Sequence, residues 1–533
     1  MKLTVVPYPD SFRILSDEPC VKITRLCELE CGGGCNIAEK NLKAFLSEYF
    51  EGEILGTGRE RIILSLNKSE NAAKDGYTLT TGKDTVEICG NDEAGLFYGV
   101  QTLRQLLIQG DFSLPSLKIG DAPAFPSRGF MLDCGRYFFT KQAVMQFLDL
   151  MALHKLNEFH WHLSDDQGFR CQLDSQLLLT EIGSYRSHTN FNKIPHQGYY
   201  TKADMKEIVE YAHERFIRVI PEIDTPGHAV SMIAAYPFLS CFDRELTVAA
   251  SWGIKHDVLC VGKESTFEFM FSVFDELTEI FTDGVIHIGG DEVPATRWEI
   301  CPHCQKRMKD EEIEDVSGLH TYYLERIAKY LQQKGIEVRM WNDSVREKTV
   351  DSSVCRQLWN KEMTSDDIAA ELRKGRRFIM SSADNCYMDL PYGQVSLKKC
   401  YEYELIHSEL TKEEADNILG VEGCLWTEFV PDMERAYFAA FPRFGAISET
   451  CWTKRENRKY ERFLENLDGY YRVLSFHGVT PAKKKKVNPK FLSEKAELLL
   501  WKRRRLYTGE LHNLLDNYAV KKKHRQNNSV GKI

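Results

Sequence analysis

The sequence lacks any long uninterrupted apolar run, and this absence excludes a helical membrane protein. No segment approaches the roughly 18 consecutive apolar residues that a membrane-spanning helix needs. The first residues, MKLTVVPYPDSF, also lack the apolar core of a secretory signal peptide, because proline and aspartate interrupt them early. We therefore expect a protein without a membrane span that is located in the cytoplasm.

Metal-binding cysteine motifs are scarce, although the chain has 16 cysteines. The cysteines are scattered, and without an export signal most should be reduced thiols. One close pair, Cys301 and Cys304 in CPHC, would need a second such pair or suitably spaced histidines to form a zinc ribbon, and none is evident nearby. We interpret CPHC as a loop with two thiols and expect neither a metal site nor a cofactor.

Nucleic-acid-binding motifs are also missing, although the end of the chain is basic. The formal net charge is −9, but residues 483–533 contain fifteen Lys and Arg against four Asp and Glu. Basic runs at 483–486, 502–505 and 521–523 are compatible with an anionic partner. No RNA-binding aromatic motif or zinc-finger spacing accompanies them, so we expect a solvated basic helical region and no nucleic-acid partner.

The periodicity of the apolar residues divides the chain into three regions. Residues 1–122 mix alternating apolar segments with helical ones, which predicts a small α+β domain. The segment DAPAFPSRG at 121–129, with two prolines and a glycine, indicates its boundary. Residues 123–470 are predicted to form a second domain, and residues 471–533 a basic C-terminal helical region.

The second region contains eight short apolar runs separated by amphipathic helical stretches. The runs are 128–134, 157–163, 217–223, 284–290, 336–342, 354–360, 377–382 and 420–426. Eight strands that alternate with helices predict a (β/α)8 TIM barrel. The alternative is a doubly wound open sheet, which would need a glycine-rich phosphate loop after its first strand, and DCGRYFF is not one.

Acidic and indole side chains follow or end several of these runs. The acidic positions and one histidine are Asp165, Asp166, Asp224, His228, Asp291 and Glu292, and the indoles are Trp341, Trp359 and Trp426. In a TIM barrel the carboxyl ends of the strands face one mouth, where the chemistry takes place. Indole faces stack on sugar rings and carboxylates bind hydroxyls, so the pattern predicts a glycan pocket.

Six ordered motifs resemble segments of the family 20 glycoside hydrolases, the β-N-acetylhexosaminidases. They are RGFMLDCGR, KLNEFHWHLSDDQGFR, PEIDTPGH, HIGGDEV, YMDL and EGCLWTE, and they span residues 128–428. The N-terminal region also resembles the accessory domain of that family. The resemblance implies a retaining exo-enzyme that hydrolyses terminal β-linked N-acetylglucosamine or N-acetylgalactosamine from a glycan or glycoconjugate.

This resemblance also explains why two acids are adjacent in HIGGDEV. Ordinary retaining glycosidases hold an acid and a nucleophile about 5–5.5 Å apart, whereas this family uses the substrate's own acetamido oxygen as nucleophile and forms an oxazolinium. By resemblance, Glu292 is the general acid and base, and we expect partial desolvation to raise its pKa. Asp291 is the ionised carboxylate that orients the acetamido group.

The resemblance assigns further roles to single residues. For the sugar hydroxyls, the resemblance implies that Asp389 binds hydroxyls, Arg128 binds the 3- and 4-hydroxyls, and Glu428 binds the outer hydroxyls. For the ring and its acetamido group, it implies that Trp426 stacks on the ring, Trp341 and Trp359 wall the acetamido pocket, and Tyr387 donates to the acetamido oxygen. It also implies that Asp165 orients His228 against the acid. Arg128 stands at the start of the first predicted strand, opposite the expected mouth. His160 and His162 share one strand face and are interpreted as core residues.

Two other classes of function stay open at this point. A metal-dependent barrel hydrolase would use His160, His162 and Asp291 as ligands, but the later strand ends offer no further histidine. A non-catalytic glycan-binding protein would be expected to lack Asp291, Glu292 or Tyr387, and all three are present.

Overall fold

A six-stranded sheet with two helices forms the N-terminal part of the chain. The computed structural model describes residues 3–67, 72–189, 193–343, 351–405, 410–506 and 509. The strands are β1 (Ser11–Lys22), β2 (Glu28–Cys31), β3 (Arg61–Leu66), β4 (Tyr77–Gly82), β5 (Thr85–Gly90) and β6 (Ser113–Asp121), and the helices are α1 (Asn36–Tyr49) and α2 (Glu93–Gln109). The sheet order is β1-β6-β4-β5-β3-β2. Alternating burial along β4 and β5 shows one apolar face turned towards the helices.

Eight parallel strands then close into a barrel in the order in which they occur in the chain. They are β7 (Ser127–Asp133), β8 (Glu158–His162), β13 (Arg218–Glu222), β14 (Val285–His287), β15 (Glu337–Trp341), β16 (Cys355–Leu358), β17 (Phe378–Met380) and β18 (Ile418–Leu425). Short strand pairs outside the barrel are β9 (Ser164–Asp165) with β10 (Gly168–Phe169) and β11 (Tyr185–Arg186) with β12 (His196–Gln197). Each of the eight predicted runs overlaps one barrel strand, so the TIM-barrel prediction is confirmed.

Helices surround the barrel and continue beyond it. They are α3 (Lys141–Leu153), α4 (Leu178–Glu181), α5 (Lys202–His213), α6 (Val230–Ala235), α7 (Glu264–Ile280), α8 (Pro302–Asp310), α9 (Val316–Gln333), α10 (Ser365–Arg373), α11 (Ala383–Cys386), α12 (Leu397–Tyr401), α13 (Lys412–Asp416), α14 (Met433–Ala440), α15 (Arg443–Trp452), α16 (Tyr460–Glu465), α17 (Leu467–Phe476), α18 (Lys484–Val487) and α19 (Phe491–Arg505). The described part of the C-terminal region is largely helical up to Arg505, as expected, but the basic run 521–523 lies outside the described residues. None of the described helices is long and apolar enough to cross a membrane.

Local sequence signals account for the starts of several barrel helices. Thr140 accepts a hydrogen bond from Ala143 N at the start of α3, and Thr201 forms a capping box with Asp204 at the start of α5. Such caps satisfy backbone N–H groups that have no partner within the helix. They therefore determine where the chain leaves a strand and begins the helix that covers it.

The barrel interior contains a buried polar network rather than a purely apolar core. His160 and His162 of β8 both point inwards, as expected from their shared strand face, and both contact Glu222 of β13. His160 Nδ1 also lies 2.8 Å from Glu422 Oε1, and His287 Nδ1 lies 3.0 Å from Glu222 Oε1. Burial opposes protonation of His160, but the two glutamates outweigh it and raise its pKa to about 9. The network consequently pairs positive and negative charge inside the barrel.

Arg128 joins the N-terminal sheet to the amino end of the barrel. It is the second residue of β7, its side chain is fully buried, and its Nη2 donates to Asp75 Oδ2 at 3.0 Å and Tyr98 Oη at 3.1 Å. The guanidinium also donates to the Lys155 carbonyl and lies 5.1 Å from the Trp452 ring. The assignment of Arg128 to the sugar site is therefore wrong, because its donors are used at the opposite end of the barrel from the mouth.

The segment CPHC does not form a loop with two independent thiols. Cys301 immediately precedes α8 and Cys304 lies in its first turn. Both side chains are buried, and they meet two cysteines from another part of the chain, Cys241 and Cys260. The interpretation of CPHC as a loop with two thiols was wrong, because Cys241 and Cys260 are distant from CPHC in the sequence but close to it in space.

We expect Arg128→Met to destabilise the fold by about 3–5 kcal/mol, because it leaves the buried Asp75 carboxylate without its counter-charge. Urea denaturation followed by tryptophan fluorescence would measure the loss. Lys454→Met is a suitable control: it breaks the more exposed Lys454–Asp10 ion pair, which also links the N-terminal part to the barrel, and should cost no more than about 1 kcal/mol. Equal losses in both variants would contradict the role given to Arg128.

Candidate active site

A cavity that is partly open to solvent lies at the carboxyl ends of the barrel strands. Asp165 reaches it from the segment after β8, Asp291 and Glu292 follow β14, and Trp426 and Glu428 follow β18. Residues at strand ends on different sides of the barrel thus line the same cavity. This is the position at which TIM barrels carry their active sites.

The acidic pair is held in one backbone conformation by the turn that precedes it. Gly289 has φ +71°, and a Cβ there would lie 1.8 Å from Asp224 Oδ1, so only glycine fits. Glu292 itself has φ 50°, a conformation that costs free energy in a residue other than glycine. Gly290 N donates to Asp224 Oδ1 at 3.2 Å. The surrounding contacts therefore fix the direction in which both carboxyls leave the chain.

Asp343 anchors Glu292 and one aromatic wall, and the sequence analysis missed it. Its Oδ2 accepts from Glu292 N at 2.9 Å, and its Oδ1 accepts from Trp359 Nε1 at 2.6 Å and Asn360 Nδ2 at 2.9 Å. Burial and the neighbouring Asp291 charge raise the pKa of Asp343 to about 7. In the sequence, Asp343 was indicated only by its position just after the fifth barrel strand.

His228 and Asp165 form the expected dyad beside the acidic pair. His228 Nδ1 donates to Asp165 Oδ1 at 3.3 Å, and its Nε2 lies 3.6 Å from Glu292 Oε2. Burial opposes protonation of His228, but the surrounding carboxylates raise its pKa well above its ordinary value. Asp165 Oδ2 is held in turn by Arg136 Nη2 at 2.8 Å and His162 Nε2 at 3.1 Å. The dyad therefore places a cation next to Glu292.

The two adjacent carboxyls have pKa shifts opposite to those expected. Burial alone would raise the pKa of Glu292, but the neighbouring charge of His228 lowers it below its ordinary value. Burial raises the pKa of Asp291, and the charge of Glu292 adds to the effect while His228 opposes it. The expectation of a raised Glu292 pKa is thus wrong for the unliganded protein, because the sequence did not show how closely His228 approaches.

Aromatic side chains form one wall of the cavity in two layers. Trp359, Tyr387 and Trp426 line it, with the rings of Trp359 and Tyr387 near parallel at 12° and 6.3 Å apart. Trp341 is fully buried behind them: its ring lies 5.7 Å from that of Trp426, and its Nε1 donates to Glu222 at 2.7 Å. Trp341 consequently supports the wall and does not form its surface, which corrects the expectation for this residue.

Two further carboxyls, Asp389 and Glu428, face the same cavity. Burial and the charge of Glu428 raise the pKa of Asp389 to about 8. Burial also raises the pKa of Glu428, against the opposing charge of Arg136. Asp389 Oδ1 and Trp426 Nε1 are buried and have no hydrogen-bond partner among the described residues. Buried polar atoms of this kind are suited to binding the hydroxyls of a ligand.

Arg136 takes the place in the cavity that the sequence analysis gave to Arg128. Both arginines belong to the motif RGFMLDCGR, but Arg136 follows the carboxyl end of β7. Its guanidinium lies 4.9 Å from the Trp426 ring, 2.8 Å from Asp165 and 3.4 Å from Asp133. The two arginines differ in their position on the strand: Arg128 lies near the amino end of β7, whereas Arg136 follows its carboxyl end.

The cavity also receives residues from two segments that carried no predicted function. Trp252 and Ile254 come from the long segment between β13 and α7, and Trp501 and Arg505 come from α19. The basic C-terminal region therefore reaches the candidate site, although the sequence analysis treated it as a solvated extension.

Comparison with protein families supports this geometry. The family description "Glycosyl hydrolase family 20, catalytic domain" matches residues 125–455, and "Glycosyl hydrolase family 20, domain 2" matches residues 2–122. The chain belongs to glycosyl hydrolase family 20. The two matches correspond to the barrel with the cavity at its mouth and to the N-terminal sheet.

Family 20 relatives of this chain include several proteins named β-hexosaminidase. The one from Porphyromonas gingivalis is 36% identical over 426 residues, which cover 76% of this chain and 54% of that protein. The chain thus spans about half the length of that relative. A β-hexosaminidase of Akkermansia muciniphila is 32% identical over 425 residues, with 77% and 86% covered.

Solved structures of the family share the fold across most of the chain. A GH20 exo-β-N-acetylglucosaminidase from Vibrio harveyi, in complex with N-acetylglucosamine, has a TM-score of 0.81 and 25% identity, with 90% of this chain and 78% of that chain covered. A GH20 β-N-acetylhexosaminidase from Streptomyces coelicolor has a TM-score of 0.78 and 29% identity, with 91% and 99% covered.

We expect His228→Gln to raise the pKa of Glu292, because the variant removes the positive charge that now outweighs burial. A glycosidase needs a protonated carboxyl to release its leaving group, so the alkaline limb of kcat/KM should move to higher pH while the maximum falls. The measurement is kcat/KM as a function of pH for an aryl N-acetylhexosaminide.

His213→Gln provides the control for this experiment. His213 is an exposed histidine on α5 that pairs with Asp283 at 3.0 Å, and its removal should leave the pH profile unchanged. An alkaline limb that stays in place or moves to lower pH in His228→Gln would contradict the assigned electrostatic effect.

Proposed function

We propose that this family 20 protein is a retaining exo-β-N-acetylhexosaminidase that acts by substrate-assisted catalysis. Its substrates are glycans or glycoconjugates with a terminal β-linked N-acetylglucosamine or N-acetylgalactosamine. The relatives named β-hexosaminidase and the Vibrio harveyi exo-enzyme support the reaction class. The mechanism is argued from the residues of the cavity.

The observation that carries the proposal is the placement of Asp291 and Glu292 as neighbours after one strand. A retaining enzyme with its own nucleophile needs two carboxyls on opposite faces of the sugar bond, about 5–5.5 Å apart. Consecutive residues fixed by the same turn do not readily flank a sugar in this way. They can instead act as one general acid and one orienting carboxylate on the same side of the anomeric carbon.

In the first step, the acetamido oxygen of the substrate attacks the anomeric carbon while the bond to the leaving oxygen breaks. Glu292 gives its proton to that leaving oxygen. Asp291 accepts a hydrogen bond from the acetamido N–H and stabilises the positive charge of the resulting oxazolinium. Tyr387 donates its hydroxyl proton in a hydrogen bond to the acetamido oxygen and orients it for attack.

In the second step, water attacks the anomeric carbon and opens the oxazolinium ring. Glu292, now ionised, takes a proton from that water. The two inversions at the anomeric carbon restore the β-configuration and the intact N-acetyl group. No covalent bond to the protein forms at any point.

The pKa shifts of the unliganded site run opposite to the direction that the first step needs. Before substrate binds, the pKa of Glu292 is lowered by the charge of His228 and the pKa of Asp291 is raised by burial. Donation of the acetamido N–H to Asp291 stabilises its charged form and lowers its pKa, and a sugar that excludes water from Glu292 raises the pKa of that carboxyl. Binding thus moves both pKa values in the direction that the first step needs.

The remaining cavity residues are suited to binding the sugar ring and its hydroxyls. Trp426 offers a ring face for stacking, and Trp359 with Tyr387 encloses the acetamido group and excludes water from it. Arg136, at the mouth, presents a guanidinium that suits two vicinal hydroxyls. Asp389 and Glu428 accept hydrogen bonds from the hydroxyls of the sugar.

The experiment that tests the mechanism varies the acyl group of an aryl 2-acylamido-β-glucoside. Successive fluorination of the acetyl group makes its carbonyl oxygen a poorer nucleophile, so kcat should fall at each step. The aryl β-glucoside without an amide should be hydrolysed negligibly. Equal rates across the series, or a covalent sugar–protein ester detected by mass spectrometry, would overturn substrate assistance, and no release from any of these substrates would indicate a glycan-binding protein.

We expect Glu292→Gln to reduce kcat for substrates with poor leaving groups far more than for activated aryl substrates, because activated leaving groups need little protonation. Loss of a general acid typically costs about 10²–10⁴-fold for the poor leaving group. The measurement compares kcat for a nitrophenyl N-acetylhexosaminide and for an N-acetylhexosaminyl disaccharide. Asp291→Asn is the comparison variant: it should lower kcat for both substrates, and the same pattern in both variants would contradict the separate roles.

We also propose that the protein works in a reducing compartment inside the cell. None of its 16 cysteines forms a disulfide, and most of them are buried. Localisation of the tagged protein in its source cells would test this.

A further inference from the structure

Four buried cysteines from two active-site loops meet at one point. Cys241 and Cys260 belong to the segment between β13 and α7, and Cys301 and Cys304 lie at the start of α8. The Sγ atoms of Cys260 and Cys301 are 3.7 Å apart, those of Cys260 and Cys304 are 3.7 Å apart, and those of Cys241 and Cys304 are 3.9 Å apart. All four sulfurs lie within 4.8 Å of one another.

These distances fit a tetrahedral metal site and do not fit disulfides. A disulfide needs its sulfurs about 2.05 Å apart. A metal with four sulfur ligands at about 2.3 Å places each pair of sulfurs about 3.8 Å apart at tetrahedral geometry. Buried thiols can also pack as small apolar groups, but such packing does not require four sulfurs to converge from separate segments.

The backbone around the cysteines allows this convergence. Cys301 and Cys304 have the two-residue spacing typical of one half of a zinc site, and they flank the amino end of a nine-residue helix, where thiolates are stabilised. The other segment approaches closely at Gly262, where a Cβ would lie 2.1 Å from the His303 carbonyl carbon and 2.3 Å from Cys304 N. A side chain at position 262 would therefore separate the two halves.

We propose that Cys241, Cys260, Cys301 and Cys304 bind one Zn²⁺ ion as a structural site. Four cysteine ligands complete the tetrahedral coordination of zinc and leave no open position for chemistry. Binding replaces the four thiol protons by the metal and releases them to solvent, and no oxidation or reduction takes place.

The site would join the two loops that carry the catalytic side chains. The segment that contains Cys241 and Cys260 also carries His228 and supplies Trp252 to the cavity, whereas Cys301 follows Glu292 in the other loop. Between the metal site and the cavity the same loops are also linked by direct contacts. These are Arg297 Nε to Asp257 Oδ1 at 3.0 Å, Trp298 Nε1 to the Leu259 carbonyl at 2.9 Å, and His256 Nδ1 to Thr296 Oγ1 at 3.0 Å.

The primary test is the metal content of the intact chain, measured by inductively coupled plasma mass spectrometry after purification without metal-affinity resin. The wild-type protein should contain about one zinc ion per chain. Cys301→Ser combined with Cys304→Ser should reduce the content to near zero, because serine is a poor zinc ligand. Cys400→Ala is the matched control: it removes a buried thiol from α12 and should leave the zinc content unchanged.

A second readout reports the ligands directly and does not depend on the stability of a variant. Wild-type protein unfolded with a chelator and refolded with Co²⁺ should show the intense visible absorption of tetrahedral cobalt thiolate. The double variant, where it folds, should lose this absorption and unfold at a lower temperature than the Cys400→Ala control.

Several results would overturn the proposal. Wild-type protein that contains well below one zinc ion per chain after refolding with excess Zn²⁺ would do so, and so would a double variant that keeps its zinc. Iron in place of zinc would reject the identity of the metal. Disulfides among the four cysteines, detected in the unreduced protein by peptide mass spectrometry, would reject the site itself.

Discussion

The ion pairs of Asp165 hold the mouth of the barrel together. This fully buried carboxylate contacts Arg136, His162 and His228, which come from three different barrel segments. Loss of one partner of a buried ion pair typically costs about 3–5 kcal/mol, because the remaining charge has no compensation. The position of His228 against the acidic pair therefore depends on interactions that begin inside the barrel.

These interactions form a continuous chain from the barrel interior to the cavity. Glu222 contacts His162, His162 contacts Asp165, Asp165 contacts His228, and His228 lies next to Glu292. Alternation of negative and positive groups keeps each buried charge paired. The chain also explains why the polar interior is compatible with a stable barrel, since every member has a partner of opposite charge.

The cavity itself carries more carboxyl groups than cations. Asp291, Glu292, Asp389 and Glu428 line it, and Asp343 lies behind Glu292 and Trp359. Burial or mutual repulsion raises the pKa of all of these except Glu292. The carboxyl groups repel one another when the site is empty, and they stabilise a ligand that develops positive charge. An oxazolinium-forming sugar is a ligand of this kind, so the electrostatics of the site and the proposed mechanism agree.

Much of the fold and part of the site could be predicted from the sequence, since these features depend on local pattern. The eight barrel strands followed from short apolar runs. Asp291, Glu292, His228 and Asp165 followed from their positions after strands, and Tyr387 followed from the family resemblance. Tertiary structure decided the rest. It placed Arg136 in the cavity and Arg128 under the barrel, buried Trp341 behind Trp426, brought Asp343 and α19 to the site, and set the Glu292 pKa through His228. It also gathered Cys241 and Cys260 around the CPHC pair. Strand periodicity is encoded by neighbouring residues, whereas distances between side chains far apart in the chain arise only when the barrel closes.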